Sequence, residues 1–262
     1  MVVGVLAFFI LPDFPRSGPK SWLSDQEQRY AEYRLALSVN NEVDDVGGVK
    51  AGLKSAASDI KVWCLVFIQV CILSSQTWTY FFPTIVKTLG YGKIDSLLLT
   101  APVYVFGFIT SLSNAFVAQR TGKRAILIMW PLTVDIIGNI MVVSSHITAV
   151  RYIGMFLMCA GSFSAFNVIQ AWIGSTVPRT RTKRAVTYAM VNMIGNLSNI
   201  YGAYFFPSSS SPQYIPGGIA LSSFAFAGII AAASFGLYLR HLNTKATEDE
   251  NRDGEIRYKY VY

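Results

Sequence analysis

The sequence predicts an all-α fold: a polytopic membrane helix bundle of six complete transmembrane helices plus a partial one. Composition is the first observation behind this prediction. Hydrophobic residues make up 52% of the 262 residues and charged residues only 14%, whereas a soluble domain carries about 25% charged residues. The second observation is a series of apolar runs with lengths close to the roughly 20 residues that cross a bilayer as a helix. Much of the protein surface is therefore expected to face lipid.

Charge and side-chain chemistry argue against several other classes of protein. The net charge is +7, but the basic residues lie between apolar runs rather than on a polar domain, which favours membrane topology over nucleic-acid binding. Cys64, Cys71 and Cys159 lie inside apolar runs without metal-binding spacing. His146 and His241 are far apart in the sequence. We therefore expect no metal, no cofactor and no nucleic-acid partner.

The N-terminal part of the chain precedes the main bundle. Residues 1–11 are apolar but too short to span, and they lack the basic start and cleavage site of a signal peptide. They are predicted to be the truncated end of a transmembrane helix. Residues 12–60 are polar and predict a cytoplasmic loop. Within it, Ser24 followed by Glu27 has the pattern of a capping box, which predicts the start of a surface helix that runs to Leu37.

Six apolar runs are predicted to cross the membrane within residues 61–240. The first contains Trp63 near its start and Trp78 and Tyr80 near its end, as expected for an aromatic rim at the membrane interface. The fourth and fifth runs are the most polar. The predicted spans are 62–82, 97–118, 125–145, 152–175, 185–206 and 218–239. Residues 241–262 form a charged tail, which is expected to be unstructured from Asn243 onwards.

Lysine and arginine residues predict the orientation of the bundle. Most of them lie in the long loop, in the turns before the third and fifth spans, and in the tail. The alternate loops hold only Lys87, Lys93 and Arg151. Because basic loops stay in the cytoplasm, the long loop and the C-terminus are predicted to be cytoplasmic. An even number of spans agrees with this arrangement.

The turn between the second and third spans contains Arg120, Gly122, Lys123 and Arg124. Topology alone could explain these residues, because glycine permits a sharp turn and cations anchor helix ends at the headgroups. Their spacing also resembles the loop signature of the major facilitator superfamily, in which an acid precedes Arg-x-Gly-Arg/Lys-Arg. Gln119 stands where that family usually has aspartate. The resemblance implies a gating loop that lacks the acid which helps latch helix ends together.

A more specific resemblance comes from residues 161–217. Its characteristic residues include Phe163, Asn167, Trp172, Lys183, Arg184, Asn192, Asn196, Tyr201 and Pro207. With these residues the stretch is similar to the fungal allantoate permease family, the anion:cation symporters of the same superfamily, and so is the beginning of the long loop. Members of the family carry allantoate, nicotinate, pantothenate or biotin.

This resemblance implies a fold and a function. The family has twelve spans in two six-helix halves around a central cavity, and this chain corresponds to the second half. The implied activity is secondary active transport of a small organic anion or vitamin-like carboxylate. It would be coupled to protons, act at the plasma membrane and require a missing N-terminal half as partner.

Polar side chains share one helix face in three of the predicted spans. Within apolar helices such residues either bond neighbouring helices or line a cavity, and both interpretations stay open. In the family fold the first and fourth spans line the cavity, so the resemblance implies a binding role. The candidate substrate-binding residues are Gln69, Gln76 and Tyr80 on the first span, Asn167 and Gln170 on the fourth, and Asn192 and Asn196 on the fifth.

Asp135 lies near the middle of the third span. An ionisable group at that depth is a functional candidate by default. The family fold places this span on the outer side of the bundle, away from the cavity. We therefore favour a neutral aspartic acid that is hydrogen-bonded to a neighbour.

Two alternatives to a transporter half remain. The chain could be a non-transporting fragment from a truncated gene model. A membrane-embedded enzyme is the other class, but it needs a convergent nucleophile, metal or histidine set, and the sequence offers none. We therefore expect the protein not to be an enzyme.

The predicted topology can be tested with single cysteines at Ser38 and Ser209 in a cysteine-free background. Only the cysteine at 209 should react with a membrane-impermeant thiol reagent in intact cells, because the charge bias places residues 208–217 outside and the long loop inside. Equal labelling, or labelling at 38 alone, would contradict the predicted orientation.

Overall fold

The computed structural model describes residues 24, 26–31, 33, 48–80, 82, 93–177, 181–207, 214–253, 260 and 262. Within these ranges the regular structure is helical and no strand occurs, which confirms the all-α fold class. The helices are α1 (Gly48–Ala57), α2 (Ile60–Ser75), α3 (Lys93–Thr121), α4 (Ile126–Ser144), α5 (Thr148–Thr176), α6 (Arg181–Asn196), α7 (Ser198–Gly202) and α8 (Ile215–Asp253). Short 3-10 turns follow α2 at Gln76–Tyr80 and α7 at Ala203–Phe205.

Five described helical segments are long and apolar enough to cross a membrane. They are Ile60–Thr79, Leu98–Thr121, Ile126–Ser144, Thr148–Thr176 and Ile215–Glu248. These segments correspond to the first four predicted spans and to the sixth. The predicted partial helix at 1–11 lies outside the described residues, as do the segments 83–92 and 208–213.

The fifth predicted span, 185–206, is a broken helix in the structure. It consists of α6, a turn at Leu197, α7 and a 3-10 turn. Near the break, the side chain of Asn196 donates to the carbonyl oxygen of Asn192 at 2.8 Å, and the Leu197 N–H bonds to Ile194 O at 3.2 Å instead of one residue further back. Asparagine side chains that bond the local backbone compete with helix hydrogen bonds. This competition accounts for the interruption and for the polar character of the span.

The last helix is longer than predicted. The prediction that the tail is unstructured from Asn243 is wrong for residues 243–253, because α8 continues to Asp253. No glycine or proline occurs between Gly236 and Gly254, and extending an existing helix costs far less than nucleating one. The extension is also tied down, since the Asn243 side chain donates to Tyr260 O and accepts from Tyr260 N–H, both at 2.7 Å.

The capping box predicted at Ser24 is confirmed. The backbone N–H of Ser24 donates to the Glu27 carboxylate at 2.9 Å, and the N–H of Glu27 donates to Ser24 Oγ at 3.4 Å. Residues 26–31 and 33 are helical. The two reciprocal bonds satisfy donors that a helix start otherwise leaves unpaired.

The basic turns and the C-terminus meet at one end of the bundle, called here the basic end. Lys61 at the start of α2 donates to the Tyr260 hydroxyl at 2.9 Å. The backbone N–H of Arg124, just before α4, donates to Tyr262 O at 3.1 Å. These contacts place the start of α2, the turn before α4 and the chain terminus on the same side of the bundle, as the predicted topology requires.

Asp59 joins two helices at this end. Its carboxylate caps α2 by accepting from the Lys61 N–H at 3.0 Å, and it accepts from Lys183 Nζ on α6 at 2.8 Å. Burial alone would raise the pKa of Asp59, but the hydrogen bonds from Lys183 and Lys61 and the charges of both lysines hold the pKa below its ordinary value. The ionised form is therefore stabilised by folding.

Two substitutions separate the cap from the ion pair. Asp59→Asn keeps an N-cap side chain and loses the charge, whereas Asp59→Ala loses both. We expect both variants to melt below wild type at neutral pH. The free energy of unfolding of Asp59→Ala should be lower than that of Asp59→Asn by about 1 kcal/mol. The difference between wild type and Asp59→Asn should persist at neutral pH and shrink only below about pH 4, because a lowered folded-state pKa stabilises the fold until the carboxylate is protonated. Thermal unfolding of the purified chain in detergent measures this, and an equal melting temperature for wild type and Asp59→Asn would contradict it.

Candidate substrate cavity

A cavity of about 490 Å³ lies between the end of α2 and helices α3, α5 and α6. Four polar side chains reach it: Gln76, Ser111, Asn167 and Asn196. Its other walls are mainly aliphatic and aromatic and include Leu73, Tyr104, Phe108, Phe163 and Phe166. A mostly apolar wall with a few converging polar groups is typical of a small-molecule site.

Three of the predicted binding residues line this cavity together. Gln76 opens the 3-10 turn after α2, Asn167 lies on α5, and Asn196 ends α6. The amide nitrogen of Asn167 donates to Ser111 Oγ, which in turn donates to Phe163 O at 3.1 Å. Ser111 was missed in the sequence analysis, although it lies seven residues from Tyr104 and thus on the same face of α3.

A cluster of aromatic rings adjoins the polar side chains. The ring centroids of Trp78 and Phe82 lie 4.6 Å apart, and those of Phe82 and Tyr104 lie 5.9 Å apart. Phe163 closes the cluster, because its centroid is 6.2 Å from those of both Trp78 and Tyr104. The sequence predicts Trp78 to be part of an interfacial rim, yet its side chain is only 2% exposed within the bundle. The cluster gives the cavity a flat apolar surface on which a ring could stack.

Gln170 and Asn192 bond to each other rather than line the cavity. Gln170 Nε2 donates to Asn192 Oδ1 at 3.0 Å, and Asn192 Nδ2 donates to Tyr188 O at 2.9 Å. The Tyr188 hydroxyl donates back to Gln170 O at 2.9 Å. The three residues form a hydrogen-bonded connection between α5 and α6. On α5, Gln170 follows Asn167 by about one turn, and on α6, Asn192 precedes Asn196 by about one turn.

The two remaining candidates on the first span are placed differently. Gln69 is fully buried, and neither its Nε2 nor its Oε1 has a hydrogen-bond partner within the described structure. It packs against α6, where a Cβ added to Gly195 would lie 2.8 Å from Gln69 Cγ. Tyr80 belongs to the 3-10 turn, and its side chain lies outside the described part of the structure.

The predicted gating loop joins α3 to α4 at the basic end. Gly122 has φ of +69°, a left-handed conformation that glycine adopts without strain. The Arg120 guanidinium lies over the Phe116 ring, 4.3 Å from its centroid. Arg124 donates to Ala171 O and, at 2.6 Å, to Ser175 Oγ near the end of α5. Lys123 is exposed. The loop is thus fixed to the end of a cavity-lining helix.

The cavity relies on dipoles rather than charges for polar recognition. Among the residues that the structure describes, those lining the cavity include no lysine, arginine, aspartate or glutamate. No group of three or more histidine, cysteine or acidic side chains that could hold a metal occurs in the described part of the chain. A ligand would therefore meet amide and hydroxyl groups, of which each amide offers both donors and an acceptor.

Comparison with known proteins gives one family. The family model of the Major Facilitator Superfamily matches residues 1–203. No solved structure shows significant similarity to the chain.

Curated relatives of the chain are fungal transporters. It is 26% identical over 95% of its length to the major facilitator-type transporter hxnP of Emericella nidulans, and 27% identical over 98% of its length to the MFS-type transporter cnsO of Penicillium expansum. It is 26% identical over 72% of its length to the high-affinity nicotinic acid transporter of Saccharomyces cerevisiae. These matches cover 50%, 52% and 36% of the three relatives, so the chain spans about half the length of the first two.

Proposed function

Because the chain belongs to the Major Facilitator Superfamily, we propose that it forms the second half of a secondary transporter that carries a small organic anion or vitamin-like carboxylate together with protons. It is an integral multi-pass membrane protein of helical construction, and its relatives are transporters. The family assignment points to transport rather than to enzymatic catalysis. The observation that carries the proposal is the convergence of Gln76, Asn167 and Asn196 from three helices on one cavity beside aromatic rings.

The chemistry of the cavity suits a ring-bearing carboxylate. Amide N–H groups can donate to carboxylate oxygens, and the Ser111 hydroxyl can donate or accept. The rings of Tyr104 and Phe163 offer an apolar surface for a flat ring. A volume of about 490 Å³ lies within the roughly 300–1,000 Å³ of small-molecule sites. Nicotinate is a reasonable probe, because one relative is a nicotinic acid transporter.

The proposal also covers the setting of the cavity. In transporters built from repeats, the substrate site lies between the two halves, so we propose that an N-terminal half supplies the opposite wall and any cation for the carboxylate. The plasma membrane is the proposed location, with the basic end in the cytoplasm because loops rich in lysine and arginine stay inside. We further propose that the loop from Arg120 to Arg124 takes part in gating, and that Gln69, Gln170 and Asn192 support the binding wall from positions beside the cavity. The binding role of Tyr80 stays a prediction from the sequence.

The binding site can be tested in a complete transporter that contains this chain. Gln76→Ala or Asn167→Ala should raise the transport constant for the substrate by about threefold to tenfold, because each removes one hydrogen-bonding amide. Surface expression should stay near wild type. Uptake of labelled nicotinate, normalised to surface protein, measures both quantities.

Asn139→Ala is the matched control for these variants. Asn139 donates to Gly218 O at 2.6 Å and to Ser222 Oγ at 2.7 Å, and thereby joins α4 to α8 away from the cavity. This variant should reduce the amount of protein at the membrane and leave the transport constant unchanged. If Gln76→Ala and Asn167→Ala behave like the Asn139 variant, the cavity is not the substrate site.

The proposed requirement for a second half gives a separate prediction. The chain expressed alone should support no uptake of nicotinate, pantothenate, allantoate or biotin, because one wall of the cavity would be absent. Saturable uptake by the isolated chain would contradict the half-transporter proposal. Absence of uptake even when an N-terminal half is supplied would instead favour a non-transporting fragment.

A further inference from the structure

Asp135 is a carboxyl group at the centre of α4 that the binding cavity does not use. Its side chain is 3% exposed. The five described membrane-spanning segments contain one other acidic residue, Glu248, which is the last residue of the C-terminal segment. A charge at this depth is costly, and ionisable residues inside membranes usually have a function.

The hydrogen bonds of Asp135 suit neither protonation state completely. Oδ2 accepts a hydrogen bond from Ser75 Oγ on α2. Oδ1 is buried and has no hydrogen-bond partner in the described part of the protein. A neutral acid can donate its proton to the Ser75 hydroxyl, whereas a permanently ionised one would have several donors or a counter-ion. In either state this carboxyl group has one hydroxyl partner and one unsatisfied oxygen.

In the part of the chain that the structure describes, no counter-ion lies at the depth of Asp135. From α5, Gly161 packs against its backbone, and the buried Cys159 thiol is a titratable group within range of its charge. From α2 the Ser75 hydroxyl faces it, and Cys71 precedes Ser75 by one turn of the same helix. The described membrane segments of α3 and α8 contribute no lysine, arginine or histidine at this depth, and the cations of α2 and α5, Lys61 and Arg151, lie near the ends of their helices. Protonation of Asp135 therefore removes an uncompensated charge.

The single hydrogen bond of Asp135 connects it to the cavity. Ser75 is the last residue of α2, and Gln76 begins the 3-10 turn and lines the cavity. The position at which the helix changes from α to 3-10 is thus held by the Asp135 carboxyl group. A hydroxyl can donate and accept, so Ser75 can follow a change in the charge of its partner.

We propose that Asp135 is the proton-exchange site of this half and acts on the cavity through Ser75 and Gln76. The inference rests on the proposed transport function, because it names the residue that couples the proton. The carboxylate takes up one proton from water and becomes a neutral acid, and the same proton returns to water when the carboxylate re-forms. Ser75 bonds the ionised carboxylate more strongly than the neutral acid. Protonation accordingly loosens the restraint on the 3-10 turn, which makes Asp135 a positioning residue for Gln76.

The first experiment follows the protonation of Asp135 in the purified chain in lipid. Infrared difference spectra of wild type against Asp135→Asn isolate the carbonyl band of its protonated acid. The band should appear and disappear reversibly between about pH 5 and about pH 9, the range into which buried carboxyl groups are shifted. A band from Asp135 that stays constant, or stays absent, over this range would overturn the proposal.

A second variant keeps the test valid if Asp135→Asn does not fold. Ser75→Ala removes the donor to the carboxylate, so deprotonation should require a pH about one unit higher. Ser162→Ala is the matched control, because Ser162 is an equally buried serine that donates to Met158 O on its own helix at 2.8 Å. It should leave the midpoint unchanged. Equal midpoints for the two serine variants would contradict the role of Ser75.

The third experiment tests the link to the cavity. Gln76→Cys is placed in a background in which Cys64, Cys71 and Cys159 are alanine, with and without Asp135→Asn. The rate at which a thiol reagent modifies this cysteine is measured in both proteins over a range of pH. The ratio of the two rates cancels the intrinsic pH dependence of the thiol. This ratio should change severalfold around the midpoint of the infrared titration, and a ratio independent of pH would overturn the link. None of these measurements uses a transported substrate, so the cavity substitutions can fail while this inference stands, or the reverse.

Discussion

The close approach of α4 and α5 is the contact on which the rest of the bundle depends. A Cβ added to Gly138 would lie 2.6 Å from Gly154 O, and one added to Gly154 would lie 2.7 Å from Gly138 O. At Gly161 the same pair of helices touches again, beside Asp135. In a membrane the solvent is as apolar as the side chains, so helices associate through close packing and hydrogen bonds rather than through the hydrophobic effect. Glycines that allow backbones to touch therefore set the position of α5, and α5 carries Asn167 and Phe163 of the cavity.

Polar side chains in this bundle fall into groups with different environments. Asn139 is buried and donates to Gly218 O and Ser222 Oγ on α8, and Gln170 and Asn192 bond each other between α5 and α6. Such pairs are expected wherever water cannot supply hydrogen bonds. Asn196 is exposed, and with Gln76 it opens into the cavity. Gln69 is the exception on α2, since burying an amide without partners costs free energy. Because Gln69 packs against Gly195, this amide without partners lies at the contact between α2 and α6.

Much of the architecture could be predicted from the sequence, because hydropathy and helix length are strong local signals. The spans that became α2, α3, α4, α5 and α8 follow from apolar runs alone, and the Ser24–Glu27 cap from a short motif. The break at Leu197 was not predicted, because it arises from asparagine side chains that bond the backbone of a helix with high polar content. The continuation of α8 through Asp253 was not predicted either, since a charged composition with few apolar residues is typical of unstructured segments.

The candidate site could be predicted only in part, because helical periodicity gives the face of a residue but not its neighbours. Helical periodicity placed Gln76, Asn167 and Asn196 on suitable faces, and the structure brings them to one cavity. Periodicity could not separate them from Gln69, Gln170 and Asn192, which lie on the same faces. The distinction depends on which neighbouring helix stands opposite each residue. Ser111 and the aromatic cluster could not be predicted, because serine and phenylalanine are common in membrane helices. Only tertiary packing brings these residues onto a shared surface.

The basic end shows how a helix bundle can retain its connections when one residue of a family signature differs. Gln119 replaces the expected acid and is exposed. Arg124 nevertheless has acceptors, because the end of α5 presents the Ala171 carbonyl and the Ser175 hydroxyl to it. Carbonyl groups near a helix C-terminus carry partial negative charge and attract cations. Asp59 is an acid that does form a charged contact at this end, where it joins α2 to α6 through Lys183. Both connections involve helices that line the cavity, so any movement that changes the spacing of these helices must also stretch a charged contact at the basic end.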